Sequence, residues 1–288
     1  MKIAAVVILY HPPETVISNI NSYYNYVDKV FVFDNTETEP IFKEQLLKLA
    51  KVEYYSNGRN EGIAKRLNKG AAKAIEQQFD WILTMDQDSV FAENAINNYM
   101  NCFYHYKNKE NTAMFGTRYS RIKNESSPLC KATEIHELIT SGTLVNLEAF
   151  EKIGCFDEAL FIDSVDHDYC IRAKLNGFSI IEFSNIFTLQ EVGKEVYTSS
   201  IKTLFLYKKK KAIHSPLRCY YMFRNLLYLE RKFKGQKADL LKSVRSTVID
   251  QIKACIFYGR DTIKIFKYLI IAYHDFKERK MGKIDREL

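Results

Sequence analysis

Residues 81–91 read WILTMDQDSVF, an apolar run that breaks into Asp86, Gln87, Asp88 and Ser89. A short apolar run bounded by turn residues is the pattern of a buried strand. Two carboxylates presented at one strand end repel each other unless something positive lies between them. Aspartate and serine also collect at strand ends for a plainer reason, since their side chains hydrogen-bond a turning backbone. On these eleven residues alone both readings of DQDS stand, and the flanking chain has to separate them.

Upstream, IAAVVILY (3–10), KVFVF (29–33) and VEYYS (52–56) repeat the strand pattern that ends with DWILTM (80–85). The segments between them carry apolar residues at helical spacing: Val16, Ile20, Tyr23, Tyr24 and Val27; then Ile41, Phe42, Leu46, Leu47 and Leu49; then Ala64, Leu67, Ala71, Ile75 and Phe79. Strand and helix alternate, which predicts a parallel sheet with helices on both faces and ligands beyond the carboxyl ends of the strands. Past residue 89 the pattern loosens to a helix (92–106), a strand AMFGTR (113–118), an irregular stretch to 139, a strand running into a short helix, and a strand SIIEF (179–183). From about 200 onward helical periodicity dominates. Three amphipathic helices are expected: PLRCYYMFRNLLYLERKF, a second on Leu241, Val244, Val248, Ile252 and Cys255, and a third on Ile263, Phe266, Ile270 and Tyr273.

The chain has 288 residues, 47% hydrophobic and 14% aromatic, enough apolar surface for one large domain or a domain with an appendage, so disorder is not expected. Cysteines 102, 130, 155, 170, 219 and 255 form no CxxC pair and no recurring spacing. Neither a disulfide framework nor a zinc site is expected, and a reducing compartment fits. The first apolar run stops at Pro12 and Pro13 without a cleavage-site pattern, and no stretch reaches the roughly 18 apolar residues that span a bilayer. Charge is divided unevenly. From Glu195 onward 22 Lys and Arg stand against 9 Asp and Glu, a balance of +13, leaving 20 against 26, or −6, for residues 1–194. A basic C-terminal third suits an anionic membrane surface, a phosphate-bearing lipid or a nucleic acid, or is simply a solvated face.

Acidic and amide residues at several carboxyl strand ends converge on one crevice of a parallel sheet. Asp34 and Asn35 follow KVFVF, Asn57 to Asn60 follow VEYYS, and Asp86 and Asp88 follow DWILTM. An aspartate in such a place can accept a hydrogen bond from a nucleobase imide, and paired carboxylates can hold a divalent cation whose other ligands are phosphate oxygens. SNGRNEGIAKRLNKG opens a helix with Arg59, Lys65, Arg66 and Lys69, yet it is neither GxGxxG nor a P-loop. FIDSVDHDYCIR packs Asp163, Asp166, His167 and Asp168 among apolar residues, so some of these acids face inward or line a cleft, where one could serve as a general base. His167 is a base, a ligand or a surface partner of its acidic neighbours.

Taken in order, FDN (33–35), NEGIAKRLNKG (60–70), DQDS (86–89), SG (141–142), GCFDEALFIDSVDHDYCIR (154–172) and HSPLRCYYMFRN (214–225) resemble the family 2 glycosyltransferases, and among them the bacterial rhamnosyltransferases. The resemblance runs over roughly residues 1–230. It implies an α/β GT-A fold, a mixed, mostly parallel sheet flanked by helices, over residues 1–200, followed by a basic helical region over 201–288. It implies an inverting transfer from a nucleotide sugar, dTDP-L-rhamnose in that subgroup, to a lipid-linked or other glycan acceptor in surface polysaccharide (O-antigen or capsule) synthesis. The location that goes with this is cytoplasmic, peripheral on the inner face of the bacterial membrane, against an anionic surface.

In that frame Asp34 contacts the base, with Asn35, Asn60, Ile63, Arg66 and Gln87 around the nucleotide. Asp86 meets the ribose or the metal, and Asp88 holds Mg2+ or Mn2+. Asp166 is the base that removes a proton from the acceptor hydroxyl, and Ser141, Gly142, His214, Arg218 and Arg224 meet the acceptor or a diphosphate. Two departures stand out. Where the family often has the histidine of an HxxG element, this chain reads Leu189, Gln190, Glu191, Val192, Gly193, so Gln190 takes the metal-site position, and either fewer protein ligands hold the metal or Glu191 adds an oxygen donor. The acid that usually precedes the base is Val165 here.

Other readings are a UDP-hexose donor on the same fold, and a receiver-like phosphoacceptor or metal-binding signalling domain. The latter requires a lysine near the end of a fifth strand, has no use for FIDSVDHDYC and predicts about half this length. No nucleic-acid recognition motif is present, so no nucleic-acid partner is expected. Oligomeric state is left open, a homo-oligomer included.

Overall fold

The computed structural model describes the chain except residues 39, 121–125, 191–193, 199–207, 237, 260 and 286–288, and only the backbone of 190, 194–198, 209–211 and 238. Two units emerge. Met1–Asp157 with Asp166–Glu191 form the first, and Glu158–Val165 with Val192–Leu288 form the second. The division falls near residue 191 rather than at 200, and a short piece of the acidic stretch, 158–165, belongs with the later helices.

In the first unit, β1 (Ile3–Leu9), β2 (Lys29–Asp34), β3 (Val52–Ser56) and β4 (Trp81–Asp86) alternate with α1 (Val16–Tyr24), α2 (Lys43–Leu47) and α3 (Ile63–Glu76). Every residue of β1 is buried, because helices cover both faces of a parallel sheet and leave no strand face for water. α3 approaches β1 so closely that a Cβ on Gly70 would lie 2.5 Å from a Val6 methyl, so glycine is the residue that permits this packing. The rest of the sheet is mixed. It is built from β5 (Ser89–Phe91), β6 (Thr112–Ser120), β7 (Ala132–Glu134), β8 (Thr143–Asn146) and β9 (Ser179–Gln190), with α4 (Ala95–His105), α5 (Leu147–Ile153) and α6 (Val165–Leu175) between them. The strand order is β3-β2-β1-β4-β8-β6-β9-β5, with β7 also on β9. β1–β4 are parallel, and β8 joins β4 and β6 antiparallel. The aromatic side chains Tyr99, Phe103, Phe115 and Phe183 fill the core under this half.

Cys102 and Cys130 are joined by a disulfide across a separation of 28 residues. The cysteine spacing predicted no bridge. One isolated pair has no spacing signature, because it is made by α4 coming against the chain that follows β6 rather than by local sequence.

The second unit holds β10 (Lys194–Thr198) paired antiparallel with β11 (Lys209–Ile213), and three helices, α7 (Pro216–Lys232), α8 (Ala238–Tyr258) and α9 (Thr262–Lys277). Pro216 sits at the first position of α7, and the preceding Ser215 accepts the Arg218 N–H, an N-cap that starts the helix where the sequence suggests. The Asn225 amide on α7 donates to the carbonyls of Leu160, Ile162 and Asp163, which ties segment 158–165 to this unit. α8 buries Val244, Val248, Ile252 and Cys255 as the periodicity predicts, with Leu240 rather than Leu241 completing the stripe. α9 turns the other way: Ile265, Tyr268 and Ala272 are buried, while Ile263, Phe266, Ile270 and Tyr273 are exposed. No helix among the described residues is long and apolar enough to cross a membrane.

Candidate active site

The register of the parallel strands gathers the predicted nucleotide residues. Leu9 at the end of β1 pairs with Asp34 on one side, and its neighbour Ile8 pairs with Asp86 on the other; Asp34 in turn pairs with Ser56. Asp34 and Asp86 therefore flank the carboxyl end of the central strand, about 10 Å apart at two strand spacings. This is the crevice at which ligands of open α/β sheets bind.

Asp34 is only 2% exposed. One carboxylate oxygen accepts the Thr36 N–H at 2.8 Å and the other the Tyr54 hydroxyl at 2.6 Å. A carboxylate has about four acceptor positions, so capacity is left for a further donor. Burial and the hydrogen bond to Asp34 both push the Tyr54 phenol up, which keeps it a proton donor to the carboxylate. Tyr54 is a residue the sequence reasoning missed. Its signal was available in the register, since it sits two residues before Ser56 on the neighbouring strand.

Asn35 is tied into the start of α3. Its carbonyl accepts from Arg66 Nε at 2.7 Å and from the Glu61 N–H at 3.1 Å, while its amide donates to Gly62 O. Asn60 accepts the Gly62 N–H, and Gly62 takes a φ of 82°, a conformation that suits glycine, to launch α3. Arg66 is buried, and burial lowers its pKa. It donates to Asn57 at 2.7 Å and to the Arg59 carbonyl, and pairs with Glu61 at 3.0 Å. Burial alone would raise the Glu61 carboxyl, but Lys69, Lys65 and Arg66 around it bring it down to about 2. Ile63, half-buried, begins the helix. These residues are a scaffold for the loop, in which Arg66 is a buried, fully engaged partner rather than an exposed cation.

The Asp86–Asp88 turn is held from both sides. The Gln87 amide bonds the Tyr10 backbone twice, accepting from its N–H at 2.8 Å and donating to its carbonyl at 3.0 Å, and Asn19 donates to Gln87 O. The expected nucleotide contact from Gln87 is thus replaced by a latch that fixes the turn on β1. Ser141 is 2% exposed, accepts the Asp86 N–H and donates to Ser89 Oγ at 2.7 Å. Gly142 has φ 70°, and a Cβ there would meet Thr188 Oγ1 at 2.6 Å. Ser141 therefore ties directly to the carboxylate turn, and Gly142 donates its N–H to Thr84 O on the strand that leads into it. The backbone of Gln190 pairs with Ser89, which places its position beside the turn; Glu191 lies outside the described residues. Among the described residues no group of three or more His, Cys, Asp and Glu side chains gathers as a metal cluster. Two hard carboxylates on a half-buried turn fit a cation such as Mg2+ or Mn2+, which accepts few protein oxygens and takes the remainder from phosphate and water.

Asp166 lies in the first turn of α6, half-buried, and accepts its neighbour's N–H from His167 at 2.9 Å. His167 Nε2 is 3.3 Å from Glu137, and the Leu138 N–H donates to Cys170 on the same helix. The loop that touches α6 at 137 and 138 reaches Asp86 at 141, and four residues span at most about 14 Å. One short loop thus connects the turn bearing Asp166 to the turn bearing Asp86 and Asp88. Asp168 is different. It is fully buried and paired with Arg172 Nε at 2.8 Å and Nη2 at 2.7 Å, while Arg172 also donates to the carbonyls of Ile153, Gly154 and Cys155.

The remaining predicted residues lie in the second unit. His214 donates its N–H to Cys255 Sγ, and Arg218, exposed, grips Asp163 at 3.0 and 3.1 Å. Arg224 corrects the expectation of a diphosphate contact. It is 1% exposed, donates to Gly282 O and Tyr220 Oη, and lies against the rings of Tyr220 and Tyr221, so it is a packing residue of α7.

Comparison with known proteins bears on this geometry. The dTDP-rhamnosyl transferase RfbF of Shigella flexneri is 31% identical to the chain, with 95% of each sequence covered. Among solved structures, GalNAc-T7 with UDP, GalNAc and Mn2+ superposes with a TM-score of 0.60 at 12% identity, over 97% of this chain and 56% of that one. S. aureus TarS 1-349 in complex with UDP-GlcNAc gives 0.58 at 13% identity, over 96% of this chain and 80% of the other. At such identities the structures speak for the fold, which is GT-A. Residues 5–154, the segment containing Asp34, the α3 loop and the Asp86–Asp88 turn, match the model of Glycosyl transferase family 2, and the chain belongs to that family of glycosyltransferases.

Proposed function

We propose that the protein is an inverting transferase that moves L-rhamnose from dTDP-L-rhamnose to a hydroxyl of a lipid-linked oligosaccharide, at the inner face of a bacterial membrane, during surface polysaccharide synthesis. The observation that carries the choice of sugar is the likeness to RfbF along almost the whole of both chains.

In this reading Asp34, kept as an acceptor by Tyr54 and Thr36, takes the imide N–H of thymine. Asp86 orients the ribose or shares the cation with Asp88, and Gln87, Ser141 and Ser89 hold the turn still while the donor binds. When bound, Mg2+ or Mn2+ supplies positive charge against the charge that develops on the diphosphate as it leaves. Asp166 takes the proton of the acceptor hydroxyl. That oxygen forms its bond to the anomeric carbon on the face opposite the diphosphate, the C–O bond to the diphosphate breaks, and one displacement inverts the centre. A retaining route would need a second carboxylate as nucleophile, and the acids flanking Asp166 in the sequence are engaged elsewhere: Asp168 by Arg172 and Asp163 by Arg218.

The test is a thermal-shift panel of dTDP-L-rhamnose, UDP-glucose, UDP-galactose and UDP-GlcNAc, with and without Mn2+, on wild type and Asp88→Asn. The expected result is the largest stabilisation by the dTDP sugar, a further rise with Mn2+, and loss of that further rise in the variant. Preferential stabilisation by a UDP sugar would replace the donor, and stabilisation by no nucleotide would overturn the reading.

A further inference from the structure

Helix α9 carries two apolar stripes, and the structure buries only one. Ile265, Tyr268 and Ala272 face inward with Asp275, whose carboxylate accepts the Tyr220 hydroxyl at 2.7 Å. Ile263, Phe266, Ile270 and Tyr273 are 88%, 51%, 61% and 45% exposed. Spaced three, four and three residues apart, they fall on one side of the helix and make a ridge about 15 Å long. Leaving four large apolar side chains in line on a surface is costly in water and marks a contact surface.

The charges around the ridge identify what it meets. The charged residues of α9 are Lys264, Lys267, Lys277 and Asp275, and the acid is the buried one, so the helix shows solvent only positive charge. Lys277 continues the ridge by one more turn and sits over the Tyr273 ring at 5.5 Å. The acids Asp261 and Glu278 flank the helix at its two ends, and Glu278 pairs with Lys280 at 2.7 Å. A second copy of this chain meeting ridge to ridge would bring lysines against lysines. A nucleic acid would neutralise the lysines but give Ile263 and Ile270 nothing apolar to enter. An anionic bilayer surface satisfies both features, taking the ridge into the acyl boundary and the lysines among the headgroups.

We infer that the Ile263–Phe266–Ile270–Tyr273 face of α9, with Lys264, Lys267 and Lys277 beside it, is an interfacial membrane-docking surface for anionic lipid. It names the contact behind the peripheral location proposed above, and because it rests on the second unit alone it is tested without any sugar donor.

The experiment is flotation of the full chain with vesicles of equal parts phosphatidylglycerol and phosphatidylethanolamine, and with vesicles of phosphatidylcholine. Wild type floats with the anionic vesicles and much less with the neutral ones. The variant I263S/F266S/I270S/Y273S loses at least about a hundredfold in partitioning, since each buried apolar side chain contributes roughly tenfold. Its circular dichroism and melting temperature stay at wild type, because all four positions face solvent. A second variant, K264E/K267E/K277E, keeps the ridge and loses the preference for anionic over neutral vesicles. Wild type that does not float, a serine variant that floats equally well, or a wild-type dimer that the serine variant dissolves without any vesicle binding would each overturn the inference. Donor stabilisation in the thermal-shift panel is unaffected by any of these results, so the two readings fail separately.

Discussion

The acids at 86–88 and those at 163–168 are similarly dense along the chain, yet the structure treats them oppositely. At 86–88 the neutral residue is latched: Gln87 bonds Tyr10 twice, and the carboxylates on either side, each with partners of its own, are half-buried at the end of a central strand. At 163–168 two of the acids are the anchors. Asp168 is buried against Arg172 and Asp163 is gripped by Arg218, while Asp166 between them has no Lys or Arg ion pair among the described residues. Density of acid therefore does not mark chemistry. What distinguishes the two stretches is what the fold latches, an amide at 86–88 and two carboxylates at 163–168.

The sharpest way to break this contrast is Asp168→Asn. Removing one partner of a buried pair strands the Arg172 guanidinium, and the expected cost is about 3–5 kcal/mol in urea unfolding. A variant that unfolds with wild type would show that Asp168 is not an anchor. Asp163→Asn probes the other flank. Asparagine accepts the left-handed φ of 63° at this position, and Arg218 is 44% exposed, so water already screens the pair. The expected loss is about 0.5 kcal/mol. A loss as large as that of Asp168→Asn would mean that the two anchors are equivalent.

How far the chain announced this arrangement differs between its parts. β1, β2 and β4 were legible because strands buried on both faces read as nearly unbroken apolar runs, and the carboxyl ends of β1 to β4 converge by topology alone. The roles within the site were less so. Gln87, Ser141 and Gly142 look like ligand-binding residues in a motif, but their atoms are engaged with Tyr10, Ser89 and Thr84, partners far away in sequence. Arg224 reads as a surface cation, and only the fold reveals the Tyr220 and Tyr221 rings around it. In α9, periodicity finds amphipathic spacing but cannot rank two stripes of nearly equal apolarity, and the stripe on Ile263 and Phe266 turned outward. The Cys102–Cys130 bridge, one pair with no repeating spacing, had no local signal at all.

In the proposed mechanism Asp166 is the one acid of its cluster that acts on the acceptor. The most direct measurement is the initial rate of dTDP release from dTDP-L-rhamnose with acceptor present, for wild type and Asp166→Asn, alongside the melting temperature of both. The account predicts a rate lower by about 10²–10⁴ in the variant, the range expected for loss of a general base, at an unchanged melting temperature. A variant that turns over at the wild-type rate would contradict it.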